Sequence, residues 1–209
     1  MDIKKELISR YPLLSDCEKD IISALNLMKN TCVSGGTIYV CGNGGSCSDS
    51  DHIVGELMKG FLSKRPLCDD ERKIFEELYD DGDKFAQKLQ KAIPAVSLTA
   101  QSAVLSAFAN DVDADFAYAQ LVYGYARKND LVIGISTSGN SKNIVNAIKA
   151  AKARGSKTLS LTGCRESILS DISDVTVRVP EYETYKIQEL HLPVYHYLCA
   201  ALEEILFLD

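Results

Sequence analysis

The feature that most constrains this chain is a repeated unit in which a short apolar, β-branched run is followed at once by a glycine- and hydroxyl-rich turn and then by a helical pattern. Thr37-Ile38-Tyr39-Val40-Cys41 runs into Gly42-Asn43-Gly44-Gly45-Ser46 and a helix expected from about Ser48 to Leu62. Leu131-Val132-Ile133-Gly134-Ile135 runs into Ser136-Thr137-Ser138-Gly139-Asn140-Ser141 and a helix over Asn143–Ala153. Pro94–Leu98, Lys157–Leu161 and Thr176–Val179 supply three further strands, the fourth ending in Thr162-Gly163 and the last leading through Pro180 to a long C-terminal helix from about Thr184. Apolar runs without alternation belong to strands buried on both faces. Their alternation with helices predicts an α/β fold, a doubly wound, mostly parallel five-stranded sheet with helices on both faces. In such sheets ligands gather at the carboxyl ends of strands, where both Gly/Ser loops fall.

The 209 residues, 46% hydrophobic, suit a single domain with one sizeable core. Ahead of the first strand, Ser15 and Glu18 read as a capping box opening an N-terminal helix with Ile21, Leu25 and Met28 on one face, ended by Gly35-Gly36. Residues 64–91 break the rhythm. They carry Asp69-Asp70-Glu71-Arg72 and Asp80-Asp81-Gly82-Asp83 and read as a solvated insertion of two short amphipathic helices, with an active-site cover as the alternative.

A net charge of −6 argues against nucleic-acid and anionic-membrane partners, which need clustered Lys and Arg. Seven dispersed cysteines with no CxxC pair read as reduced thiols, and no long apolar run suggests a leader or a membrane span, so a cytoplasmic protein is expected. A small anion remains a suitable ligand, because amides at a helix N-terminus together with hydroxyls bind phosphate without net positive charge. Neither loop matches GxxxxGK[ST] or GxGxxG, and Ser, Thr, Asn and Gly also serve as plain turn and cap residues.

The chain has three histidines. His52 and Glu56 stand four apart on one helix, hence on one face, while Gln188, His191 and His196 share the last helix, which Pro193 interrupts. Carboxylate and histidines could do acid–base work or bind zinc, or the histidines could be buried and structurally bonded. The pattern leaves these open.

Taken in order, CGNGGSCSDSDHIVGEL, Asn110-Asp111, GISTSGNSKNIVNAIKAAKARG, LTG and IQELHLPVYH resemble the landmarks of the phosphoheptose isomerases, which are sugar isomerase (SIS) domain proteins. The resemblance runs from about Gly36 to the C-terminus, apart from the charged insertion. It implies conversion of sedoheptulose 7-phosphate to glycero-manno-heptose 7-phosphate. It places substrate contacts at Asn43, Gly44, Gly45, Ser46, Glu56, Asn110, Asp111, Ser136, Thr137, Ser138, Ser141 and Gln188, and the catalytic pair at Glu56 and His196. It also implies zinc held by His52, Glu56, Gln188 and His196, and a homotetramer with sites at subunit interfaces. His191 falls outside these sets and reads as structural. Three departures stand out: the long link from Glu56 to Asn110, Tyr185 where the family often carries an acid, and Gly60 where an arginine is common. Two other readings stay open, a non-catalytic regulator resembling the protein that associates with the bacterial replication initiator, or a sugar-phosphate sensor, and an isomerase of another ketose phosphate.

Overall fold

A computed structural model describes residues 3–208. Helix α1 (Ile3–Arg10), a 3-10 turn (Pro12–Cys17) and α2 (Glu18–Val33) precede β1 (Ile38–Gly42) and α3 (Gly45–Met58). The charged insertion forms α4 (Asp69–Leu78) and α5 (Gly82–Ala86). Then follow β2 (Ala95–Ser97), α6 (Ser102–Phe108), α7 (Ala117–Tyr125), β3 (Leu131–Ile135), α8 (Lys142–Ala153), β4 (Lys157–Gly163), α9 (Ile168–Ile172), β5 (Val175–Val179) and α10 (Thr184–Phe207).

The five strands are all parallel, in the order β2-β1-β3-β4-β5. Pleating divides each strand between two cores. Ile38, Val40, Leu131 and Ile133 face α2, α3 and α10, whereas Tyr39, Cys41 and Val132 face α7 and α8. All residues of β1 and β3 are buried, which is why each reads as an unbroken apolar run. The chain leaves β1 toward β2 on one side and leaves β3 toward β4 on the other. Connections from neighbouring strands that part in this way open a crevice beyond their carboxyl ends. The pairing of Gly42 with Ile135 sets the two Gly/Ser loops level across it.

The N-terminal capping box does not form. Pro12 opens the 3-10 turn, which draws the Ser15 hydroxyl back to the Pro12 carbonyl at 2.7 Å, and Glu18 becomes the first residue of α2, paired with Lys4 at 2.8 Å. The sequence also gave no separate α1, which packs on α10. Helix α3 starts at Gly45 rather than Ser48 and stops at Met58 rather than Leu62, because Lys59 is extended and the next amides turn to another acceptor. Those of Phe61, Leu62 and Ser63 donate to Glu203 at 2.7 to 3.0 Å. The insertion holds itself together through stacked Phe75 and Phe85, 5.5 Å between centroids, and an Arg72–Asp83 ion pair. No helix among the described residues is long and apolar enough to cross a membrane.

Candidate functional site

The hydroxyl loop is built by its own short-range bonds. Ser136, buried at the end of β3, pairs with Ser141 at 3.0 Å between hydroxyl oxygens. The amide of Gly139 donates to the Ser136 carbonyl at 2.9 Å, and that of Asn140 to the Ser138 hydroxyl at 3.2 Å. Gly139 has φ of +67°, and a Cβ there would strike Ser167, so no other residue fits without displacing the turn. Thr137 is pinned to the end of β4, its carbonyl accepting from Gly163 at 3.0 Å. Helix α8 begins directly after Ser141, so its positive dipole end points into a ring of hydroxyls. A cavity of about 190 Å³ lies beside the loop, between Ser138, Arg165, Glu181 and Tyr182.

Across the crevice, Asn43 and Asn143 exchange side-chain amide bonds at 2.9 and 2.8 Å, tying the first loop to the start of α8. Ser46 is buried. Gly45 lies under the Gln188 side chain, which a Cβ would displace, so the first loop and α10 close on each other there. Gly44, Gly45, Asn43, Gln188 and the hydroxyl loop therefore gather at one end of the crevice. Asn110 and Asp111 sit in an exposed π-helical stretch (Ala109–Asp113) that continues from α6, where the Asn110 amide donates to the Asp111 carboxylate at 2.7 Å.

A second group forms farther along α3 and α10. His52 Nε2 lies 3.3 Å from Glu56 Oε1, and Lys59 Nζ lies 3.1 Å from Oε2. The Glu56 side chain is 13% exposed. The rings of His52 and His196 meet edge to face with centroids 5.0 Å apart. His196 Nε2 is buried without a hydrogen-bond partner. Burial, and next the neighbouring His52, push His196 below the ordinary imidazole range and favour its neutral form. His196 also lines a cavity of about 430 Å³ between α1 and α10, with Tyr11, Phe61, Leu62 and Pro193.

Four residues that sequence reasoning passed over shape this group. Tyr195, fully buried, donates its hydroxyl to Asp49 Oδ1 at 3.2 Å and lies 3.0 Å from His52 Nδ1. Burial, followed by the Asp49 charge, drives the Tyr195 hydroxyl upward, so it stays a proton donor. Asp49 stands three residues before His52 on the same helix face, a spacing that could have flagged it. Arg65 and Glu203 form a buried ion pair at 2.6 Å, and Arg65 also donates to the carbonyls of Leu57 (2.6 Å) and Glu56 (3.1 Å), capping α3 behind Glu56. Burial alone would raise Glu203, but three amides and Arg65 hold it below the usual carboxylate range. Arg65 does not stand in for the arginine expected at Gly60, since it turns inward to Glu203 and the end of α3. Tyr185 is exposed with Lys186 over its ring. His191 is buried, bonded through Nε2 to the Thr162 carbonyl at 3.2 Å, and pushed down to about 4 by burial.

The imidazoles, carboxylate and amide expected to hold zinc have the right chemistry, and the partnerless His196 Nε2 is a suitable donor. They do not surround one point in a single chain. Roughly two turns of α10 separate Gln188 from His196, about 12 Å of rise, and among the described residues no three His, Cys, Asp or Glu side chains are disposed to hold an ion.

The SIS domain model matches residues 95–201 of this chain. A phosphoheptose isomerase of Rhodospirillum rubrum is 31% identical over 193 residues, covering 92% of this chain and 89% of that protein. One from Helicobacter pylori (strain Shi470) is 35% identical over 96% of this chain and 94% of its own. The solved structure of a phosphoheptose isomerase from Neisseria gonorrhoeae superposes with a TM-score of 0.75 at 27% identity, covering 96% of this chain and 94% of that one.

Proposed function

Because the chain belongs to the phosphoheptose isomerases of the SIS-domain family, we propose that it is an aldose–ketose isomerase converting sedoheptulose 7-phosphate to glycero-manno-heptose 7-phosphate. The observation that carries the chemistry is the Glu56 carboxylate, nearly enclosed and set against the His52 and His196 rings. The hydroxyl loop and the N-terminus of α8 bind the phosphate, and the first loop with Gln188 lines the passage along the sugar. Glu56 takes the proton from the carbon next to the carbonyl and returns it to the neighbouring carbon, so the carbonyl and hydroxyl exchange places with no net redox change. His196 serves the two oxygens. Favoured in its neutral form, it donates an N–H to the oxygen that gains charge. Asn110 and Asp111 complete the sugar contacts in this reading.

The distance along α10 between Gln188 and His196 favours a site completed between copies of the chain, and a cytoplasmic homotetramer is part of the same reading by family resemblance. The open apolar cavity that His196 lines between α1 and α10 is where a second copy would enter. Zinc, if bound, would be held by donors among His52, Glu56, Gln188 and His196, and would supply Lewis-acid polarisation of the carbonyl. Metal analysis of the purified protein checks its presence, and light scattering checks the tetramer. The reaction itself is tested by incubating the protein with sedoheptulose 7-phosphate and following carbon-13 resonances. Appearance of the aldose heptose phosphate is expected. No conversion, with or without added zinc, would sink the assignment in favour of a sensor, and turnover of a different ketose phosphate would redirect it.

A further inference from the structure

We infer that Tyr195, held by Asp49, is a positioning residue that fixes the proton of His52 on Nδ1 and so leaves no N–H aimed at the base carboxylate of Glu56. The inference rests on the isomerase reading only for its kinetic consequence. Its structural part stands on three successive contacts, Asp49 to Tyr195, Tyr195 to His52 and His52 to Glu56. An ionised carboxylate only accepts hydrogen bonds, so the Tyr195 O–H is committed to Asp49 Oδ1 at 3.2 Å. The lone pairs of the same oxygen then face His52 Nδ1 at 3.0 Å, and that contact is a hydrogen bond only if Nδ1 carries the proton. In its neutral form the ring has one N–H, so with that proton on Nδ1 the Nε2 atom turns an unshared pair toward Glu56 Oε1, 3.3 Å away.

Left to itself the ring would choose the opposite tautomer, because Glu56 rewards an Nε2–H with a charge-assisted bond. The Asp49–Tyr195 pair outbids that choice from within the core. Tyr195 is fully buried, and its ring is wedged edge to face against His52 and His196, with centroids 5.4 and 5.0 Å apart. In that state no proton lies between Nε2 and Oε1, 3.3 Å apart, until the reaction supplies one. When Glu56 takes the substrate proton, its new O–H finds Nε2 as acceptor, and the ring keeps its Nδ1–H throughout. A ring that had presented Nε2–H would occupy Oε1 before the substrate arrived.

Three histidines make nitrogen-15 labelling of histidine a direct test, with His52→Gln identifying the resonances. In full-length protein at about pH 9 with chelator present, His52 should show a protonated Nδ1 and an unprotonated Nε2. In Tyr195→Phe the pattern should invert to Nε2–H. The same variant should lose roughly tenfold to a hundredfold in kcat with KM within about twofold, the usual size of an effect passed on through a supporting shell. Asp49→Ala, which frees the Tyr195 hydroxyl to donate to Nδ1, should give the same inversion and a similar loss, and the double variant should be no worse than either. Thermal melts report folding independently, and the wild-type spectrum alone is decisive if a variant fails to fold. An Nε2–H tautomer in the wild type, or unchanged nitrogen shifts and kcat in Tyr195→Phe, would overturn the inference. Absence of any sugar-phosphate turnover by the wild type would instead count against the enzymatic reading, leaving the tautomer measurement intact.

Discussion

The two ends of the crevice wall are built by opposite means. At the loop end, between Ser136 and Ser141, the groups are hydroxyls and amides bonded within a few residues of one another, and the ligand field comes from a helix terminus. At the far end the groups are Glu56, His52 and His196, brought together by two helices remote in sequence and supported by Asp49, Tyr195, Arg65 and Glu203. The loop end can hold an anion without changing its own protonation. The far end can move protons but has no cluster of donors for a phosphate. Under the proposed function, one end would decide that the substrate is a phosphate, and the other what happens to its carbons.

The sharpest way to break that division is to disable one end at a time. Glu56→Gln keeps the shape and removes the base, so kcat should fall roughly a thousandfold or more with KM little changed. Replacing Ser136 and Ser138 by Ala should do the reverse, raising KM more than it lowers kcat, since each lost hydrogen bond to a charged ligand costs about 1.5–3 kcal/mol. Mixed and reassembled, the two variants should regain measurable activity if a site draws one end from each copy. No recovery in mixed assemblies would place both ends in one chain, and equal damage to kcat and KM by both variants would dissolve the division.

The contrast also explains what the sequence could disclose. Strands β1 and β3 are buried on both faces, so their identity is written locally as apolar runs, and each feeds a loop whose Gly and Ser pattern is local too. The alternation of elements implied a parallel sheet with its ligand site at the carboxyl ends of the strands, but the strand order that places the crevice between β1 and β3 came only with the fold. His52 and Glu56 were legible from their spacing on one helix. Tyr195 and Glu203 were not, because their partners lie 146 and 138 residues away and no local pattern marks such a pair. The Ser15–Glu18 capping box failed for the converse reason: the motif was local, but Pro12 imposed a different turn on the same residues. Asn110 and Asp111 carry no sequence signal beyond the resemblance, and in the fold they bond chiefly to each other.

A smaller effect should appear when the support behind the far end is cut. Arg65→Ala strands the Glu203 carboxylate in the core, which typically costs about 3–5 kcal/mol, and it frees the carbonyl end of α3 behind Glu56. A matched pair of apolar replacements at 65 and 203 should not restore stability, because the amides of Phe61, Leu62 and Ser63 would lose their acceptor. Denaturant melts distinguish the cases. Full recovery in the double variant would mean that the ion pair, and not the amide cradle, is what Glu203 contributes.

The smallest effect separates the two histidines of α10, which lie on one helix but serve different ends. His191 is bonded to Thr162 behind the loop end and is fully buried, so in the folded chain it takes a proton only near about 4, against 6.5 for a free imidazole. Between those values the unfolded chain binds the extra proton and the folded one does not, so the neutral, buried state contributes fully above 6.5 and its contribution is lost as pH falls toward 4. The loss should approach about 3 kcal/mol, at 1.36 kcal/mol for each unit between the two states. His196 is also shifted downward, but it is partly exposed and lines an open cavity, so its share should be smaller. Unfolding free energies measured from pH 7 to pH 4 should therefore fall less steeply in His191→Gln than in the wild type, while His196→Gln should leave most of the slope in place. Identical slopes in all three proteins would show that the acid sensitivity resides in the carboxylates, and that the burial of His191 is not felt as a proton linkage.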